Sequence, residues 1–164
     1  MGLDMYLTKK TFIGANYEHM GVGGTIDITI KDSPVNIKFN RVKSVSEHVG
    51  YWRKANQIHN WFVENVQGGE DDCREHSVTR QDFETLLECV NIVLNVKGTP
   101  EESSVIENTL PPTEGFFFGS TNIDSWYWED LELTKEILSD VLAEIDEDSK
   151  NPNVWVDYYY SSSW

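Results

Sequence analysis

Cysteine is scarce in this sequence, and long apolar runs are absent. With only Cys73 and Cys89, the chain has too few thiols for a disulfide framework, which is typical of proteins in a reducing compartment. No stretch approaches the roughly 20 consecutive apolar residues that span a bilayer. The opening segment MGLDMYLTKK has no basic region followed by an apolar one, as a secretory signal would. We therefore expect a soluble cytoplasmic protein with no membrane partner.

Basic residues are also few, and they are unevenly placed. The chain holds 13 Lys and Arg against 28 Asp and Glu, for a net charge of −15. Residues 1–60 carry eight basic and five acidic side chains, whereas residues 61–164 carry five basic and twenty-three acidic ones. The acidic part would repel phosphate, which argues against direct binding of nucleic acid. A protein with a basic surface is the better predicted partner.

Signatures of catalysis and of metal binding are missing as well. The sequence has no G-x-S-x-G nucleophile elbow, and its glycine cluster GVGG precedes a predicted strand rather than a phosphate-binding helix. Cys73 and His76 have C-x-x-H spacing, but a structural zinc site usually needs two such pairs. We therefore predict no catalytic residue, metal or cofactor. His48 and His59 remain the general bases to test, because the pKa of histidine lies near neutrality.

Apolar residues at every second position predict strands in the first third of the chain. A strand with one buried face is expected at the start, and a hairpin is expected around Ser33-Pro34. A phase slip before Val42 and Val45 indicates a bulge near Asn40 or Arg41. The β-prone segment VWVDYYYSSSW is expected to return to the sheet as its last strand. The alternating positions are Leu3, Met5 and Leu7, then Ile26, Ile28 and Ile30, then Val35, Ile37 and Phe39.

Helical periods follow in the rest of the chain. Residues 51–66, 80–97 and 125–148 each place apolar side chains on one face. Thr79 with Asp82 approximates a capping box for the second helix, and Asp124 or Ser125 caps the third. Residues 99–122 are predicted to form a loop whose GFFFGS segment packs into the core. The predicted fold is therefore α+β, with about three helices packed on an antiparallel sheet in a single domain, 1–164.

The predicted first helix, YWRKANQIHNWF and the residues after it, carries an unexplained polar flank. Tyr51, Ala55, Ile58, Phe62 and Val66 are spaced as a buried stripe. Packing does not explain the polar side chains beside that stripe. Among them, an arginine could bind an anionic group of a ligand and a histidine could move a proton. The sequence therefore offers a ligand pocket beside this helix, formed by Trp52, Arg53, Asn56, His59, Asp71, Asp72 and Cys73.

The last predicted helix carries a regular row of carboxylates. Successive members are three or four residues apart, which places them about 5–6 Å apart along the helix axis. This row is either a solvated helix face or a surface that imitates nucleic acid and binds a basic cleft. The row consists of Glu129, Glu132, Glu136, Asp140, Glu144 and Glu147.

Three blocks of the sequence resemble a group of small bacteriophage- and prophage-encoded proteins without a settled activity. The blocks are MGLDMYL, then YWRKANQIHNWF with GGEDDC after it, then YYYSSSW. The resemblance implies a phage or prophage origin and the bacterial cytoplasm rather than a chemistry. The helix block matches at Trp52, Arg53, Lys54, Ala55, Asn56, His59 and Trp61, and the acidic block matches at Asp72 and Cys73.

Charge and resemblance together favour a non-catalytic phage accessory protein. Such a protein would act by protein–protein interaction, for example as an anti-defence (anti-CRISPR) inhibitor of a host nucleic-acid-dependent enzyme, an inference by analogy. The alternative is a small ligand-binding protein or enzyme that uses the pocket beside residues 51–66. The sequence leaves the oligomeric state open.

Overall fold

An antiparallel sheet and four helices make up the described part of the chain. The computed structural model describes residues 2–13, 29–30, 32–37, 41–115, 117–152 and 154–164. The α+β prediction is confirmed, with one helix more than expected. In chain order the elements are β1 (Asp4–Phe12), β2 (Thr29–Ile30), β3 (Ser33–Pro34), β4 (Ser44–Arg53), α1 (Asn56–Asn65), β5 (His76–Val78), α2 (Arg80–Asn95), α3 (Glu102–Thr109), α4 (Ser125–Asp148) and β6 (Trp155–Ser163).

The main sheet has the strand order β4-β1-β6-β5, and every pair is antiparallel. The first strand is therefore central, and the C-terminal strand pairs with it along its whole length, as predicted. A register shift between Leu7 and Thr8 of β1 leaves Val49 of β4 unpaired, which is a bulge. The edge strand β5 was not predicted, because three residues are too few to show a period.

One face of this sheet packs against the helices. Met5 and Leu7 point inward, as their alternation predicted, and both are fully buried. The apolar stripes of α2 and α4 belong to the same buried cluster as these two side chains, because each helix repeats its apolar residues every three or four positions. The largest fully buried side chains are Trp52, Tyr160, Phe62, Phe83, Leu3, Met5, Leu7, Ile58, Leu86, Ile106, Leu110 and Leu131.

The predicted helix over residues 51–66 is wrong at its start. Strand β4 continues through Arg53, and helix α1 begins only at Asn56. Tyr51, which the helical spacing placed in the core, is 46% exposed, whereas its neighbour Trp52 is fully buried. This alternation is that of a strand. Lys54 then adopts a left-handed conformation, with φ of 64°, and separates the strand from the helix.

The predicted hairpin is present only as a two-residue ladder between β2 and β3. Val35 and Ile37 lie outside any strand, and Val45 belongs to β4 instead. Ile26, Ile28, Phe39 and Asn40 lie outside the described residues. The observed bulge lies at Val49.

The predicted loop over residues 99–122 contains helix α3, which is only eight residues long. The GFFFGS segment meets the core as expected, since Leu3 N donates to Phe117 O at 3.1 Å and Phe118 packs on the buried cluster. The predicted starts of α2 and α4 are confirmed. Thr79 and Asp82 form a complete capping box on α2, and Asp124 caps α4. Within the described ranges, no helix is long and apolar enough to cross a membrane.

Candidate ligand pocket beside helix α1

Trp52 serves the core rather than a ligand. Its indole N–H donates to Thr134 Oγ1 at 2.9 Å, and both side chains are fully buried. The same threonine hydroxyl donates to Asp130 O at 2.6 Å. A buried indole is stable only when its N–H finds such a partner. Trp52 therefore links β4 to α4 and does not line the pocket that the sequence predicted.

His59 is a satisfied structural residue. It is 1% exposed, with Nδ1 2.7 Å from Tyr160 Oη and Nε2 2.9 Å from Asp71 Oδ2. A carboxylate only accepts hydrogen bonds, so Nε2 carries the hydrogen of that pair, and in the neutral ring Nδ1 accepts from the tyrosine hydroxyl. Burial raises the pKa of Tyr160 well above its usual value. Both ring nitrogens are therefore occupied within the fold, and the ring is out of reach of a substrate.

Asp72 and Cys73 belong to the loop before β5. Asp72 accepts from His76 Nε2 at 2.9 Å and from Arg74, and these hydrogen bonds lower the pKa of its carboxyl far below the usual range. Cys73 is exposed, in a left-handed conformation with φ of 58°. Among the described residues, no group of three or more His, Cys, Asp or Glu side chains could hold a metal ion.

A cavity of about 520 Å³ does open beside α1, but most of its walls were not predicted. Of the seven proposed pocket residues, it brings together only Arg53 and Asn56. The strand–helix junction forms one wall, the loop after α3 forms a second, and the first turns of α4 form a third. The lining residues are Arg53, Lys54, Asn56, Gln57, Pro112, Gly119, Ser120, Asp124, Trp126, Tyr127 and Asp130.

Asn56 holds two of these walls together. Its Nδ2 donates to Phe118 O at 3.2 Å and to Ser120 O at 2.9 Å, while its Oδ1 accepts from Thr113 N at 2.9 Å. All of these partners are backbone groups that a loop must satisfy when it folds inward. Asn56 is therefore a positioning residue of the cavity.

The loop also approaches the strand–helix junction closely. A Cβ atom at Gly119 would lie 3.2 Å from Lys54 Cβ, and Gly119 has a φ of 90°. Glycine alone adopts this conformation without strain. Gly119 thus allows the loop to pass directly over Lys54 and to form the wall of the cavity.

The strand–helix junction and the α4 wall of the cavity carry charges of opposite sign. Arg53 and Lys54 supply two cations from the junction, and both are exposed. The guanidinium Nε of Arg53 lies 3.8 Å from Asp4 Oδ1, which is too long for a hydrogen bond. Lys54 makes no ion pair with any described residue. Both cations are therefore available to a ligand.

The α4 wall carries two carboxyl groups in different states. Asp124 is engaged as the helix cap, accepting from Trp126 N at 3.0 Å and Tyr127 N at 3.4 Å. Asp130 accepts only a long hydrogen bond, 3.3 Å from Gln57 Nε2. Burial raises the pKa of Asp130 to about 6, with smaller contributions from the charges of Glu129 and Asp124. The Gln57 hydrogen bond opposes this rise but does not cancel it.

Comparison of the chain with protein-family models, curated proteins and solved structures found no significant match. The site must therefore be interpreted from its own geometry.

Two of the three charged side chains that line a second cavity, of about 460 Å³, are already in ion pairs, and the third, Asp157, accepts a hydrogen bond from Tyr159 at 3.4 Å. This cavity lies between the start of α2 and the end of α4. Arg80 on its rim donates to Glu84 and Asp146, and Asp148 on its wall pairs with Lys9 at 2.8 Å. The cavity beside α1 is therefore the better ligand site.

The predicted acidic face is exposed along its whole length. Its C-terminal end is neutralised in part, since Glu144 pairs with Lys9 at 2.9 Å and Glu147 pairs with Lys150 at 2.5 Å. Within the described residues, the other four carboxylates have no ion pair. They are Glu129, Glu132, Glu136 and Asp140.

The sequence carries one signal for the cavity that periodicity alone overlooks. Asp130 lies three residues after Tyr127 and four before Thr134, both of which belong to the buried stripe of α4. A carboxylate on the flank of a buried stripe is uncommon and often functional. Trp126 and Gln57 gave no comparable signal, because either residue is ordinary on a helix surface.

Proposed function

We propose that this protein binds a small ligand through an anionic group held by Arg53 and Lys54. The cavity beside α1 carries the proposal, because it combines a volume typical of ligand sites with two exposed cations, of which Arg53 has only a long ion pair with Asp4 and Lys54 has none among the described residues. Arginine and lysine are the usual receptors of carboxylates and phosphates in such sites.

The rest of the cavity supports this placement of the anion. The backbone N–H groups at the start of α4, which would otherwise attract an anion, already bind the Asp124 carboxylate. Asp124 and Asp130 would also repel an anion from that side. The junction wall is therefore the part of the cavity that favours negative charge.

A thermal-shift titration with organic anions tests the proposal. The panel contains aliphatic carboxylates, phosphate monoesters and nucleotides, and binding to the folded state raises the melting temperature. The double variant Arg53→Gln, Lys54→Gln should abolish the shift, since it removes both charges and retains polar side chains of similar reach. Lys43→Gln is the matched control, because Lys43 is exposed and lies outside the cavity lining. An unchanged shift in the double variant would contradict the proposal.

The exposed carboxylates of α4 support a second candidate, docking on a basic protein surface as a phage accessory factor. The favouring observation is that Leu133 is 39% exposed between Glu132 and Glu136, so an apolar contact lies within the charged row. Charge complementarity would select a basic partner. The test is capture from a bacterial lysate at low and moderate salt. A partner retained equally by the variant with Glu129, Glu132, Glu136 and Asp140 changed to their amides would refute this candidate.

A further inference from the structure

We propose that the ligand of the cavity is a zwitterion, such as an amino acid or short peptide, whose cationic group lies between the Trp126 ring and the Asp130 carboxylate. This inference rests on the proposed function, which places the anionic group of the same ligand at Arg53 and Lys54. It adds a second recognition element on the opposite wall.

Trp126 is the first observation. It is 71% exposed, although a tryptophan side chain is large and mostly apolar, and it lines the cavity. An exposed indole face attracts ammonium and guanidinium groups through its quadrupole. Trp126 and Asp130 are four residues apart on α4, and side chains at this spacing are neighbours on one helix face. A cation at that position would contact the ring and the carboxylate together.

Asp130 is the second observation. Its carboxylate has one long hydrogen bond from Gln57, which is only 3% exposed and lines the same cavity. The groups that act on it are Asp124 and Glu129 on α4 and Gln57 on α1, and the cations Arg53 and Lys54 line the same cavity. The acidic groups beside Asp130 favour a cation at that position. The cations of the junction favour an anion in the part of the cavity that they line. Asp124 cannot take this role, since its carboxylate caps the helix.

This layout disfavours a ligand that carries negative charge at both ends. A ligand with negative charge at both ends would place one charge against Asp124 and Asp130, at a cost of several kcal/mol for like charges in a partly buried site. A dipolar ligand satisfies both walls. Its two charges must lie on opposite ends, which is the distribution in an amino acid or peptide.

The probes for the test are ω-amino carboxylates of four to eight carbons, with the matching carboxylates and the matching alkylamines. Varying the chain length covers the unknown span between the two walls. Binding is measured by NMR from the indole N–H signal of Trp126, which the variant Trp126→Phe assigns among the six tryptophans. We expect at least one zwitterion to bind ten-fold or more tightly than its carboxylate and its amine.

Variants then separate this inference from the proposed function. Asp130→Asn should weaken the zwitterion about ten-fold and leave the carboxylate unchanged, and Glu88→Gln, at an exposed carboxylate of α2 outside the cavity lining, should change neither. Equal binding of carboxylate and zwitterion, or an unaffected Asp130→Asn variant, would overturn the zwitterion and leave the anion site intact. Nucleotides or phosphate esters that bind while every zwitterion fails would also overturn it. If no anion binds, and the Arg53→Gln, Lys54→Gln variant behaves as the parent protein, the proposed function itself fails.

Discussion

The carboxyl group of Asp130 should destabilise the protein at neutral pH, and replacing it should reveal how much. Burial raises its pKa from 3.8 to about 6, so the folded state holds this proton more tightly than the unfolded chain does. The contribution of the group to stability is therefore greatest below pH 4 and is lost as the pH rises from about 4 to 6. An asparagine side chain at this position cannot ionise, and its amide can still bond Gln57. We expect Asp130→Asn to stabilise the protein at pH 7.5.

The size of this gain in stability follows from the size of the pKa shift of Asp130. A difference of roughly two pKa units corresponds to about 3 kcal/mol in the free energy of unfolding, which is an upper limit. Because Asp130 lies on a cavity wall open to solvent, screening reduces the expected gain to about 1–2 kcal/mol. At pH 4.5 the folded acid is already protonated, and the gain should fall to about a third of its value at pH 7.5.

Urea unfolding of both proteins at pH 7.5 and pH 4.5, followed by circular dichroism, measures the two gains. Glu132→Gln is the control, since this exposed carboxylate lies on the same helix. A gain of equal size at both pH values would refute the electrostatic origin, and no gain at pH 7.5 would show that Asp130 is well solvated or well paired.

Three further predictions concern other contacts. Affinity for the zwitterionic probes should fall about five-fold between pH 7.5 and pH 5.0 as Asp130 gains its proton, measured by the NMR titration. Thr79→Ala should lower the free energy of unfolding by about 1 kcal/mol through loss of the α2 capping box. Lys9→Met should lower it by about 2 kcal/mol, because Glu144 and Asp148 then lose their cation, and added salt should narrow this difference. Urea unfolding measures the last two effects. A loss of less than about 0.3 kcal/mol in the free energy of unfolding of either variant would contradict the role given to that contact.

Local patterns predicted the elements whose period runs over many residues. The alternation through Leu3, Met5 and Leu7 places β1, and the stripe from Tyr127 to Val141 places α4, because burial of one face leaves a periodic trace in sequence. Capping chemistry predicted where α2 and α4 begin. Elements of three to eight residues, β5 and α3, leave too short a trace.

The segment around Trp52 shows where periodicity misleads. Tyr51, Ala55, Ile58 and Phe62 fit a helical stripe, yet Tyr51 belongs to the strand and faces outward. Two elements that meet at a sharp turn can together imitate one longer period. The turn itself is set by the left-handed Lys54, which is a conformation that lysine rarely adopts and that no sequence rule would place there.

The cavity could not be predicted from these patterns, because it is made by contacts between distant segments. Asn56 bonds backbone atoms of residues 113, 118 and 120, and Gln57 bonds Asp130, more than 70 residues away. Such contacts follow from how the loop after α3 crosses α1. A single residue can still indicate a site when it breaks the local pattern, as the carboxylate of Asp130 does on the flank of the buried stripe of α4.

Departures from local rules concentrate at this cavity. Lys54 occupies a left-handed conformation that costs about 1 kcal/mol, and Gly119 has to lie directly above it. Asp130 is partly buried beside two other acids with one weak hydrogen bond. Trp126 exposes most of a large apolar surface. The weakly bonded carboxylate and the exposed indole are unfavourable for the folded chain alone, and a dipolar ligand of the kind proposed above would offset both costs by contacting them. This coincidence distinguishes the cavity from the second one, where Arg80 and Asp148 already have ion-pair partners.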